Sequence, residues 1–250
     1  MRQVSRGTRI ASSIVAVTCA IAAYGGVAAT SASASTRSAR GATDPSADKT
    51  ARAATVTVED LGAGWTQYRK AGGFLTGDAK NCSYRFGSPL KVSDRGYAGP
   101  MFRDATKTIF AYSSAFVFRS EAAAKAYTAS RTSPAYLKCQ VAQDDAAQKK
   151  ADPKTFVRLA VTTSPEVGAP GGPESFYEED AGGKNADGTD GVNAAYYRSA
   201  YRHGRVVYVI KIDTAAAKDE ASVPALGERL TTTATAMTTA IEGRLTALGA

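Results

Sequence analysis

Along 107–118 the side chains alternate, with Phe110, Tyr112, Phe116 and Phe118 on one side of an extended backbone and Ile109, Ala111, Ala115 and Val117 on the other. A two-residue period this rich in aromatic and branched side chains predicts a strand. Residues 96–102 are placed to pair with it through a turn near Asp104. Ser120 then caps an alanine-rich helix reaching about Ser130, and Ser133-Pro134 supplies the cap and first-turn proline of another helix that carries Cys139. Alternation returns over 155–162, where Phe156, Arg158 and Ala160 lie opposite Val157, Leu159 and Val161. The strongest hairpin signal is the pair of aromatic and β-branched runs 194–201 and 205–213, separated by Arg202-His203-Gly204, whose glycine suits a positive φ. Finally, 224–248 sets Leu226, Leu230, Met237, Ile241 and Leu245 at helical spacing. Hairpin-joined strands with helices between and after them predict an α+β fold, a single domain with a central antiparallel sheet flanked by helices.

This patterning is absent before residue 56. Residues 35–55 contain no aromatic and no branched aliphatic side chain, so they are read as a disordered linker that cannot offset the entropy of ordering. Residues 1–9 carry Arg2, Arg6 and Arg9 and no acid, and the chain then runs uncharged through Ile14, Val15, Val17 and Ile21 before small residues take over. That is the layout of a signal peptide, and Ala32-Ser33-Ala34 offers the small side chains of a cleavage site after Ala34. An uncleaved anchor is the competing reading, weakened by Ser12, Ser13, Thr18, Gly25 and Gly26 within the stretch. A lipoprotein would need an acylated Cys19, but Ala16-Val17-Thr18 lacks the leucine-like residue that usually precedes it. No twin-arginine pair is present, so the general secretory route is expected. The expected organisation is a signal peptide at 1–34, a linker at 35–55 and a domain at 56–250, with the product secreted or extracytoplasmic.

Export changes what the cysteines mean. Cys19 leaves with the leader, and Cys82 and Cys139 remain where thiols oxidise, so one disulfide is expected between them. Export also changes the charge. The formal net charge of +8 falls to +5 without Arg2, Arg6 and Arg9 (28 basic against 23 acidic side chains), and to +3 without 35–55 (24 against 21). The basic residues of the domain are scattered and carry no nucleic-acid motif, so nucleic acid is not an expected partner. Weak attraction to anionic polymers of the cell envelope is compatible with that charge.

Catalytic chemistry is sparse. The single histidine, His203, falls in the predicted hairpin turn, and no GxSxG, HExxH or SxxK motif accompanies it. No metal or cofactor is expected. The acidic, glycine-rich segment from Glu178 to Asp190 departs from the EF-hand pattern, with Asp190 where glycine belongs, and is read as a solvated loop before a strand, its calcium binding left open. Aromatic residues are more suggestive. Tyr197 and Tyr201, four apart on a strand, project to one face, and most of the aromatic set is read as sheet packing. If one sheet face is left uncovered, the aromatics with Arg103 or Arg198 would line a cleft for an amphipathic ligand.

Several segments then match one pattern. Asp60-Leu61-Gly62-Ala63-Gly64-Trp65 resembles the leucine-proline-x-glycine-tryptophan entry of actinobacterial exported sensor domains. The run from Ala115 to Ala124 and the later Tyr136-Leu137-Lys138-Cys139 resemble their strand, alanine-rich helix and aromatic-x-x-cysteine helix. Arg205-Val206-Val207-Tyr208-Val209 before a long terminal helix is similar to their last strand and helix. The family is the PknH-type extracellular sensor domain, which also occurs as stand-alone secreted proteins. Gly62 stands where that pattern has proline and Tyr136 where it has tryptophan, and one cysteine pair stands where the kinase-linked member has two disulfides.

The resemblance implies a secreted, non-catalytic sensor-like domain that binds a small or amphipathic cell-envelope ligand. The candidate ligand-binding residues are Trp65, Tyr97, Arg103, Tyr112, Tyr197 and Tyr201, with Cys82 and Cys139 structural. A secreted hydrolase working through carboxylates or Ser-His203 and a surface protein–protein interaction module are the alternatives. Ligand identity, signalling partner and oligomeric state are not encoded in readable form.

Overall fold

In a computed structural model the chain is described at residues 45–75, Cys82, 93–151, 157–162, 175–184, 190–214 and 222–250. The leader at 1–34, Cys19, the cleavage site after Ala34 and the first half of the expected linker lie outside the described residues. The elements are α1 (Pro45–Ala53), α2 (Val58–Leu61), β1 (Thr66–Arg69), β2 (Gly73–Phe74), β3 (Ser93–Arg103), β4 (Ile109–Phe118), α3 (Glu121–Ser130), α4 (Pro134–Ala151), β5 (Val157–Thr162), β6 (Ser175–Lys184), β7 (Asp190–His203), β8 (Val206–Thr214) and α5 (Ser222–Leu248). All strands join one antiparallel sheet of eight strands in the order β1-β3-β4-β8-β7-β6-β5, with β2 beside β1 on the same edge of β3. Cys82 and Cys139 form a disulfide across 57 residues, as expected.

The two-residue period of β4 sorts its side chains between two cores. Ile109, Ala111, Ala115 and Val117 join Val206, Tyr208, Ile210 and Ile212 of β8 beneath α5, whose Leu230, Ala234, Met237, Ile241 and Leu245 are buried at helical spacing. Phe116 and Phe118 face the other way with Val207, Val209 and Ala200, covered by Ala124 and Tyr127 of α3. Helices on both faces explain why β4 and β8 are buried almost throughout. Each fully buried Ile, Leu or Met here contributes roughly 2–3 kcal/mol of transfer free energy.

The linker reading is corrected for its second half. Residues 45–53 form α1, and Ala47, Ala51 and Ala54 are at most 1% exposed in the principal core. The segment has no large apolar residue, yet alanines at spacings of four and three make a smooth helical face that approaches the sheet closely. Polar contacts hold it there: Asp48 pairs with Arg95 at 2.5 Å, and the Arg52 guanidinium lies 4.6 Å from the Phe74 ring and 4.9 Å from the Tyr97 ring. The following turn crosses β3 at Gly99, where an added Cβ would meet Thr55 at 3.0 Å and the Ser113 carbonyl at 3.2 Å. From α5, Arg244 donates to the Ala53 and Thr55 carbonyls and to Asp60, tying the entry segment to the last helix.

The β7–β8 turn is also corrected. It is Gly204-Arg205, with Gly204 at φ +54° and His203 paired to Val206 in the ladder. His203 therefore ends a strand, and its Nδ1 lies 2.7 Å from Glu242 Oε2 on α5. The acidic segment is corrected in part: Glu178, Glu179 and Asp180 lie within β6, hydrogen-bonded between β5 and β7, rather than in a loop, while 185–189 lie outside the described residues. Its acids alternate with no apolar residue, so the periodic signal of a strand is absent from the sequence.

The β3–β4 turn is organised by Asp104, which is buried and accepts hydrogen bonds from the backbone N–H groups of Thr108 (2.8 Å) and Ile109 (2.9 Å), from Thr106 Oγ1 and from Arg229 on α5. Burial alone would raise its pKa. The hydrogen bonds from Thr106, Ile109, Arg229 and Thr108 together outweigh burial and hold the carboxyl below its ordinary value. A folded-state pKa below the unfolded one contributes stability above the unfolded value of about 4, lost as pH falls through the folded value. Asp104→Ala is expected to cost about 2–3 kcal/mol near neutral pH, since two amide groups lose their acceptor. Urea unfolding at pH 7 and pH 3 checks this, with the difference between wild type and variant narrowing at the lower pH.

Candidate functional site

The second sheet face, under α3 and near α4, is apolar at one end and charged at the other. On β8, Val207 and Val209 are followed on the same face by Lys211 and Asp213, because alternate residues of a strand share a side. The ladder places Arg198 of β7 opposite Lys211, and Tyr112 of β4 opposite Lys211 from the other side. A central strand pair thus carries three ionisable side chains where an unbroken apolar surface would be the cheaper packing.

Arg198 and Asp213 form a buried ion pair at 2.5 Å, their side chains 5% and 2% exposed. Arg198 also donates to the carbonyls of Tyr197 (3.0 Å) and Ile212 (3.4 Å). Burial disfavours its charge, but Asp213 restores it and more, so Arg198 is fully charged. The Tyr112 ring lies 5.9 Å from the Arg198 guanidinium and 5.5 Å from Lys211 Nζ. Burial, then the charge of Asp213 and a hydrogen bond to it, push the Tyr112 phenol well above its ordinary range, so it serves as a neutral donor.

The helices add the rest. Arg131, at the end of α3, is buried, donates to Tyr127 Oη at 3.1 Å and lies 4.9 Å from the Tyr136 ring. On α4, Asp144 is 1% exposed and accepts from Gln140 Nε2 at 3.0 Å, while Tyr136 Oη donates to Gln140 Oε1. Lys211 feels all of these groups. Burial, then Arg198 and Arg131, push its amine down to about 8 against the opposing pull of Asp213 and Asp144.

No family model matches the chain, and no curated protein matches it. Among solved structures it is similar to the crystal structure of the extracellular domain of PknH from Mycobacterium tuberculosis, at 8% identity and a TM-score of 0.38 over 79% of this chain and 97% of that one. The likeness is a weak one of overall fold and assigns no family.

The six residues singled out in the sequence do not form one site. Tyr97 and Tyr201 are each 8% exposed in the core beneath α1 and α5. Trp65 and Tyr197 are half-buried against the same core, and Tyr197 and Tyr201 share a face as expected, their hydroxyls 3.3 Å apart. The opposite face holds Arg103, 5.3 Å from the Tyr68 ring, and Tyr112. Of the six, only Tyr112 belongs to the charged cluster. The sequence reading missed Arg131, Asp144, Lys211 and Asp213, and placed Arg198 beside a cleft without its partner. A signal existed: Lys211 and Asp213 interrupt the apolar alternation of β8 on the face that Val207 and Val209 begin.

His203 has a carboxylate partner, and Glu242 also accepts from Tyr208 Oη at 2.6 Å. Among the described residues no Ser, Thr or Cys hydrogen-bonds to His203, so this pairing joins the hairpin to α5 without a nucleophile. Among the described residues no group of three or more His, Cys, Asp or Glu side chains is placed to hold a metal ion, and no helix is long and apolar enough to cross a membrane.

Proposed function

We propose that this chain is an extracytoplasmic, non-catalytic, sensor-like module that holds a small or amphipathic cell-envelope ligand against the second sheet face. The observation that carries the reading is the composition of that face. Beyond Phe116, Phe118, Val207 and Val209, which α3 buries, the face continues into Tyr112, Arg198, Lys211 and Asp213, so groups able to meet a polar ligand stand at the margin of an apolar core. Tyr112 and Lys211 are half-buried beside the buried pair. The disulfide supports the compartment, since such bonds persist where the surroundings oxidise. The short motifs around Trp65, Ala115 to Ala124 and Cys139 support the sensor-like role.

The test is native mass spectrometry of the exported protein purified from its own host. A co-purified species of lipid or glycan mass is expected, with occupancy reduced at least several-fold in Tyr112→Ala. A ligand-free protein that reproducibly turns over an ester or glycoside panel would overturn the reading in favour of a hydrolase.

A further inference from the structure

The sheet edge built by β1, β2 and β3 carries two sets of arginines laid over aromatic rings, one set on each face. On the second face, the Arg69 and Arg103 guanidinium groups lie 5.5 and 5.3 Å from the centre of the Tyr68 ring, which meets Phe110 edge-on at 5.2 Å. Tyr68 is 39% exposed, the one large apolar side chain among the described residues left open to solvent. On the face of the principal core, the Phe74 ring lies 4.6 Å from the Arg52 guanidinium and 4.0 Å from that of Arg95. Arg52 also covers the Tyr97 ring at 4.9 Å. Between the two sets runs the exposed connection Lys70-Ala71-Gly72. Phe74 follows Tyr68 by six residues, so their Cα atoms are at most about 20 Å apart.

Asp48 neutralises Arg95. Arg52, Lys70 and Arg103 differ: among the described residues none of them pairs with a carboxylate, and the Arg52 guanidinium has the Tyr97 hydroxyl as its polar partner. Residues 62–75 and 95–103, which build the edge, include Arg69, Lys70, Arg95 and Arg103 and no acid. Solvated cations alone would indicate nothing. Stacking is different, because a guanidinium over a ring spends its flat face there and keeps its in-plane N–H groups for an oxyanion. Such a group is already oriented, so less side-chain freedom is lost when the anion arrives.

We propose that this edge is a docking surface for a linear anionic polysaccharide, whose acidic groups are held by Arg103 on one face and Arg52 on the other as the chain crosses at Lys70. The open Tyr68 ring points to sugar, since a pyranose lays an apolar C–H surface on an aromatic ring while its acid meets the neighbouring guanidinium. Two separated sets point to a polymer, because one small anion reaches only one of them. The surface is distinct from the proposed ligand site at Tyr112 and stands without it.

The experiment is isothermal titration calorimetry of the disulfide-bonded exported protein with a mannuronate disaccharide and octasaccharide, a neutral dextran octasaccharide and a polyphosphate of matched length. The mannuronate octasaccharide should bind at least about ten-fold tighter than the disaccharide and weaken as salt rises. Arg52→Gln and Arg103→Gln should each lower its affinity about ten-fold, the cost of one charged hydrogen-bond partner, and exposed Lys70→Gln about two-fold. Tyr68→Ala should weaken the mannuronate octasaccharide more than polyphosphate. Arg52 also helps to seat α1, so unfolding midpoints are measured alongside, and Arg103→Gln with Lys70→Gln decides the result if Arg52→Gln melts early. Dextran binding as tightly as mannuronate would overturn the role of charge, and a disaccharide as tight as the octasaccharide would overturn the span between the two sets. Polyphosphate binding as tightly as mannuronate, with no effect of Tyr68→Ala, would reveal a plain charged surface and overturn the polysaccharide. Unchanged affinity in Arg103→Gln and Lys70→Gln, or no binding of the mannuronate octasaccharide, would overturn the whole proposal.

Discussion

Replacing Arg198 by methionine should destabilise the fold by about 3–5 kcal/mol, the largest effect expected of any single substitution in this chain. The cost arises less from the lost attraction than from what is left behind. Asp213 is 2% exposed and keeps a full charge partner only while Arg198 is present at 2.5 Å. Without it, the carboxylate either stays charged in surroundings that solvate it poorly or takes up a proton, and both routes lower stability. The backbone carbonyls of Tyr197 and Ile212 lose a donor as well. The double variant Arg198→Met, Asp213→Leu removes both charges and should recover most of the loss, because the replaced pair had to be desolvated and two apolar side chains fit an adjoining apolar surface. Urea unfolding of wild type, both single variants and the double variant closes the cycle. A single-variant loss under about 1 kcal/mol would mean that water reaches the pair, a value typical of exposed ion pairs. The comparison also isolates function. If the double variant is as stable as wild type yet has lost a ligand that co-purifies with the wild type, the pair is retained for recognition.

The fold was legible wherever burial has a period. β4, the β7–β8 ladder and α5 each carry large apolar residues at spacings of two or of three and four, and the structure buries those residues as the spacing requires. Ser120 and Ser133 cap α3 and α4 as their hydroxyl chemistry predicts, accepting from Ala123 and Tyr136 N–H. What escaped notice lacked large side chains. α1 reads as a linker if only branched and aromatic residues are counted, because its buried face is Ala47, Ala51 and Ala54, and its docking depends on Arg52, Arg95 and Arg244, all distant in sequence from what they touch. β6 escaped because acidic residues in a strand show no apolar alternation. The charged cluster was only partly legible. Charges at inward positions of β8 are visible in the sequence, but which cation meets which carboxylate depends on the ladder register and on helices more than fifty residues away. Tyr97 and Tyr201 fill the core and use their hydroxyls for Arg52 and Tyr197 at its margin, a placement that alternation along a strand does not reveal.

Removing the disulfide should have the second largest effect. With Cys82→Ser, Cys139→Ser, stability is expected to fall by about 4 kcal/mol, the chain-entropy value for a loop of this length. The loss should not be spread evenly. Cys139 sits on α4 between Tyr136, which lies against Arg131, and Asp144, and the Cys82 N–H donates to Gln143 Oε1 on the same helix at 3.2 Å. The bond thus anchors the helix that brings one of the two buried carboxylates to the cluster. α5, in contrast, is held by the principal core and by Arg244, neither of which involves a cysteine. Hydrogen exchange of the oxidised and serine-substituted proteins should therefore show protection lost over α4 before it is lost over α5 or β8. A serine-substituted protein that keeps α4 protection would show that α4 is positioned by its other contacts and that the disulfide acts only on the unfolded chain.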